Sequence, residues 1–149
     1  FAHHFSGSGT AEALRLYREG FRPSPELSEP RTFLTVNVVV APTEEEAARL
    51  ALPQLQAMLA LRTGQELRPQ RLVEEAQKVE LPPAHVELLE AMAARWVIGT
   101  PETARARLAE LAATYGVDEV MVHPVAGAWT GVDPATSPGR EETLRLLVG

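Results

Sequence analysis

Residues 32–41, Thr-Phe-Leu-Thr-Val-Asn-Val-Val-Val-Ala, form the longest apolar stretch of the chain, with Asn37 as the one amide inside it. The stretch is rich in β-branched side chains and lacks a polar face. Strands buried on both sides, as in parallel sheets, have this composition. Residues 118–123, Asp-Glu-Val-Met-Val-His, predict a second buried strand, and residues 1–5, Phe-Ala-His-His-Phe, read as the end of another.

Between these stretches the apolar positions change to helical spacing. Ala13, Leu14, Tyr17 and Phe21 line one face of residues 11–21, with Thr10 placed to cap the start and the prolines of Arg22-Pro-Ser-Pro to end it. Thr43 and Glu46 have the spacing of a capping box, and Ala47, Leu50, Ala51, Leu55 and Met58 continue the buried face behind it. Pro53 falls within that pattern and is expected to kink or split the helix. Residues 62–70 are polar and predict a surface loop; 71–78 and 83–95 carry two more helical patterns. The excursion over about 62–95 reads as an insertion of small helices within a single domain spanning 1–149. Trp96-Val-Ile-Gly-Thr100 is a short apolar element ending in a turn. Thr100 can cap, and Pro101 can open, a helix over 101–115 that Gly116 stops. A Gly-, Pro-, Ser- and Thr-rich loop over 124–139 precedes a last amphipathic helix over 140–148. Strands alternating with helices imply an α/β fold with parallel strands joined by right-handed crossovers.

Composition narrows the function classes. The chain has 149 residues, 45% of them hydrophobic and 23% charged, the balance of a globular domain with a real core. A net charge of −6 argues against a nucleic-acid partner, which needs a basic patch. No apolar run approaches the roughly 18 residues that would span a bilayer. Residue 1 is not followed by the basic start and apolar core of a secretion signal, so the expected compartment is the cytoplasm. The absence of cysteine removes disulfides, thiolate nucleophiles and Cys-held metals. No Ser–His–Asp order, phosphate-binding glycine loop or His-Glu-x-x-His motif is present, and no metal site is expected.

Five strings, in order, carry a resemblance: Phe1-Ala-His-His-Phe5; Leu16-Tyr-Arg-Glu-Gly-Phe-Arg-Pro-Ser24; Val36-Asn-Val-Val-Val-Ala41 leading into Thr43-Glu-Glu-Glu-Ala47; Val97-Ile-Gly-Thr-Pro-Glu102; and Gly116-Val-Asp-Glu-Val-Met-Val122. Together they resemble the C-terminal portion of the bacterial luciferase-like flavin-dependent monooxygenases. That family folds as a (β/α)8 TIM barrel, an architecture of about 250 residues. The resemblance therefore implies an incomplete barrel of about three parallel strands with flanking helices: the end of one at 1–5, then 32–41 and 118–123, as the last three of eight. Three staves leave two strand edges and one sheet face uncovered. The expected partners are a chain that completes the barrel or further copies of this one in a homo-oligomer, besides a flavin and a small organic substrate.

By the same resemblance the function is FMN-dependent oxygenation of an organic substrate with O2. Reduced flavin activates the oxygen while the protein positions it and excludes water. Two alternatives stand beside it: a noncatalytic fragment or interaction half, and a relative that uses a deazaflavin. The chain alone is expected to be inactive, because no residue in it matches the family's histidine near the flavin or most of its phosphate site.

The candidate site residues follow. His3 aligns with a position facing the flavin ring; its strand neighbour His4, pointing to the other face, is the substrate-proximal candidate. Both also fit ordinary strand-end histidines. Asn37 must satisfy its amide inside the strand, either with cofactor or in a structural network. Gly99 and Thr100 sit at a helix N-terminus, where free N–H groups and the dipole favour anions, so they suit either phosphate or plain capping. His123 ends the last strand, at the end where such barrels place their active sites, and is the second substrate-proximal candidate. Trp129, in the loop beyond it, reads as a hydrophobic anchor.

Overall fold

The computed structural model describes residues 7–133 and 135–149, with only the backbone given for Ser8. His3, His4 and the strand expected over 1–5 lie outside the described residues.

A 3-10 turn, Gly7–Gly9, leads into α1 (Thr10–Gly20). The order continues β1 (Phe33–Val40), α2 (Glu44–Arg62), α3 (Val73–Ala76), α4 (Pro83–Ala93), β2 (Val97–Gly99), α5 (Pro101–Tyr115), β3 (Glu119–Pro124) and α6 (Pro138–Val148). Among the described residues the strands form one sheet in the order β2-β1-β3, both pairings parallel. The α/β architecture with an unclosed parallel sheet is the one the sequence predicts. Its third visible strand is different: Val97–Gly99, read as part of a short apolar element ending in a turn, pairs with Val38–Val40.

β1 explains the sheet. Leu34, Val36, Val38 and Val40 point to one side and pack with Leu14 of α1, Val97, Ala104 and Leu111 of α5, and Val117. Burying each such side chain stabilises the fold by about 1.5–3 kcal/mol. Val39 and Ala41 point to the other side and meet α2, with Leu50, Leu55 and Leu59, and further out Val73, Met92 and Trp96. Helices thus cover one face of β1 fully and the opposite face only at the carboxyl end of the strand.

The uncovered part of that second face holds three register pairs: Phe33 with Glu119, Thr35 with Met121 and Asn37 with His123. Phe33 is 42% and Met121 52% exposed. β3 is accordingly not the buried strand that its Val-Met-Val run suggests; its residues alternate between exposed and half-buried, because it is an edge strand with an open side.

Three local expectations also change. Thr10 does not cap α1; the 3-10 turn runs directly into the helix, Gly9 takes the cap position, and Thr10 is buried as the first helical residue. Pro53 does not split α2, which continues from Glu44 to Arg62. Its ring is buried, and the Leu50 carbonyl one turn earlier receives the Gly127 N–H at 2.7 Å. The helix expected over 71–78 shrinks to Val73–Ala76, started by the Glu75 carboxylate accepting the Leu72 N–H at 3.0 Å.

Candidate functional site

Among the described candidates, the fold brings Asn37 and His123 together from separate strands. They come from adjacent parallel strands at the same register, 86 positions apart in sequence, and Asn37 Oδ1 lies 2.9 Å from His123 Nδ1. Asn37 is 3% exposed although it faces the open side of the sheet. A buried amide without partners would be costly, and the imidazole supplies one. The amide oxygen can only accept, and the role of the ring nitrogen facing it follows from the tautomer of His123. Below them on the same face the Thr35 hydroxyl donates to Met121 Sδ at 3.7 Å. The face is therefore a mixed surface: a polar pair towards the carboxyl end of the strands, with Phe33 and Met121 nearer their start.

Gly99 and Thr100 lie elsewhere, at the N-terminus of α5. Thr100 caps the helix by accepting the Thr103 N–H at 3.3 Å, and Thr103 Oγ1 accepts the Thr100 N–H at 2.9 Å. Glu44, the first residue of α2, adds a carboxylate: its Oε1 accepts from the Thr103 hydroxyl at 2.7 Å and from Thr100 N–H at 3.2 Å. A negative charge at a helix N-terminus is stabilising, and here the chain supplies its own. A flavin phosphate at this end would have to displace Glu44, so these residues do not fit that group. Glu44 is the contributor that sequence reasoning missed. Its Glu-Glu-Glu context signals only a helix start, and its partner lies 56 residues away.

The loop after β3 is pinned over the carboxyl end of the sheet. The Ala128 carbonyl accepts the Val73 N–H at 2.9 Å, and the Glu74 carboxylate accepts the Thr130 N–H at 3.0 and 3.2 Å. Hydrogen bonds from its own backbone N–H and from Thr130 hold the Glu74 carboxyl below the usual carboxylate range. Trp129 packs against the α2 core, with the Arg49 guanidinium 5.9 Å from its ring centroid. A cavity of about 330 Å³ opens between α2 and residues 65–71, and its described lining includes neither Asn37, Gly99, Thr100 nor His123. Among the described residues no cluster of His, Asp or Glu is arranged to hold a metal, and no helix is long and apolar enough to cross a membrane.

Comparison with known proteins places this geometry. The family described as luciferase-like monooxygenase matches residues 1–119. YceB of Bacillus subtilis (strain 168), an uncharacterized protein, is 36% identical over 122 residues, covering 82% of this chain and 37% of its own length. A luciferase-like monooxygenase of Escherichia coli (strain K12) is 35% identical over 65 residues, 44% of this chain and 19% of its own. Among solved structures, apo-MsnO8 superposes with a TM-score of 0.76 at 27% identity, over 98% of this chain and 42% of that one. The chain thus spans well under half the length of these relatives. The sequence match over residues 1–119, together with the parallel sheet left open on one face, identifies the chain as a member of the luciferase-like monooxygenase family.

Proposed function

We propose that the chain forms the closing strands of a (β/α)8 monooxygenase that uses reduced FMN and O2 to oxygenate a small organic substrate. The observation that carries this reading is the open face of β1 and β3. Its residues point where a complete barrel has its interior, and the Asn37–His123 pair sits at the carboxyl end, where such barrels conduct their chemistry. When bound, reduced flavin supplies the electrons that activate oxygen. The part taken by this chain is polar contact and enclosure: Asn37 towards the cofactor, His123 towards the substrate, and the pinned loop with Trp129 shielding the mouth from water. His3 and His4 keep the roles that the family resemblance gives them. Gly99 and Thr100 brace α5 against α2 and take no part in holding phosphate.

The same reading makes the chain alone incompetent, since Phe33 and Met121 stand exposed where other strands of the barrel would cover them. The test is an FMN titration, followed by flavin fluorescence, of the purified chain and of the chain co-expressed with a segment encoding the remaining strands. Saturable binding is expected only in the second case. A parallel titration with a deazaflavin separates the cofactor alternatives. Tight flavin binding by the chain alone, or none by the completed barrel, would overturn the proposal.

A further inference from the structure

We propose that Asn37 is a positioning residue for His123: it holds the imidazole as the tautomer protonated at Nδ1, so that Nε2 is the ring's proton acceptor. The inference about the pair stands on the geometry; its meaning for a substrate rests on the reading of this face as a barrel interior. Asn37 sits in the central strand between Val36 and Val38, where an amide is disfavoured for a strand and an aliphatic residue would suit better. Its oxygen lies 2.9 Å from Nδ1 and cannot donate. Which ring nitrogen carries the proton is set by the bond the other one makes. The pair cannot drift, because β1 and β3 are held in register by six consecutive residue pairs, from Phe33–Glu119 to Val38–Pro124. The Val125 N–H extends the ladder by donating to the Val38 carbonyl at 3.1 Å. The buried amide is thus a fixed acceptor, and the histidine on the edge strand is ordered by it. Whatever group meets the ring from the Nε2 side, from this chain or from a substrate, meets an acceptor, so a hydroxyl or N–H suits that place better than a carbonyl oxygen.

The experiment reads the tautomer directly and needs no flavin, so it stands or falls apart from the proposed activity. The full chain is labelled with 15N-histidine, and long-range proton–nitrogen correlations are recorded at a pH where the imidazoles are neutral. The His123 signals are assigned by their loss in His123→Gln. The expected wild-type pattern is a protonated Nδ1 and an unprotonated Nε2. Asn37→Leu, with its helix and strand content checked by circular dichroism, is expected to lose that pattern, and Asn37→Asp, which keeps an acceptor, to restore it. A wild-type ring protonated at Nε2 overturns the proposal whether or not any variant folds. So does a folded Asn37→Leu chain that keeps the proton on Nδ1.

Discussion

Single residues carry constraints out of proportion to their size, and Gly99 is the clearest. A Cβ built there would collide with Thr103 Oγ1 and lie 2.9 Å from Glu44 Oε2. The cluster joining α2 to α5 therefore exists only because position 99 has no side chain. Gly99→Ala is expected to turn these side chains away and lower stability by about 0.5–1.5 kcal/mol, the usual worth of a lost hydrogen bond, seen as a lower urea midpoint with an unchanged slope. Glu74 gives the pH-dependent counterpart. Its carboxyl is held below the ordinary value in the folded chain, first by its own backbone N–H and then by that of Thr130. A depressed folded pKa stabilises the native state above the unfolded pKa, and that contribution is lost as pH falls through the folded one. Acidification through the lower carboxylate range is thus expected to release the loop and alter the fluorescence of Trp129. In Glu74→Gln this acid-range change is expected to be absent, and an identical titration in both proteins would count against the latch.

At the scale of elements, α2 and the loop after β3 depend on each other. Pro53 leaves Arg49 without the intrahelical N–H that residue 53 would otherwise donate, and the adjacent Leu50 carbonyl accepts the Gly127 N–H. A Cβ on Gly127 would stand 2.7 Å from Pro53 Cγ and 3.2 Å from the Leu50 oxygen. Gly127→Ala is expected to destabilise the chain by about 1–3 kcal/mol and to speed amide exchange in residues 125–130 before the sheet, measured by hydrogen exchange. Such couplings explain what the sequence could and could not disclose. β1, α2 and α5 were readable because their signals are local: a β-branched run, Thr43 accepting from the Glu46 N–H, and Thr100 and Pro101 opening a helix. β2 was not, because three residues are too few for a period and only the pairing with Val38–Val40 makes them a strand. The openness of β3 was equally hidden, since Val120, Met121 and Val122 are apolar whether or not a layer covers them. Of the site, Asn37 and His123 each stood out by type and place. Their contact spans 86 positions and belongs to the register, not to any motif.

For the whole molecule the decisive feature is the half-covered sheet. An exposed apolar face beside a strand edge invites association. The isolated chain is expected to self-associate at micromolar concentration in sedimentation velocity. The double variant Phe33→Ser, Met121→Ser is expected to shift it towards monomer with unchanged circular dichroism. A strictly monomeric wild-type chain would show that this face tolerates water and needs no cover. The strand order has one more consequence, which concerns synthesis. β1 lies in the middle of the sheet yet is made before both of its described neighbours. On the ribosome Val36–Val40 emerges with neither partner available until Val97 and then Glu119 have followed. Pairings so distant in sequence form late, and an apolar β-rich segment left waiting is prone to aggregate. The nascent chain is most vulnerable during that interval, when shielding by a chaperone would matter most.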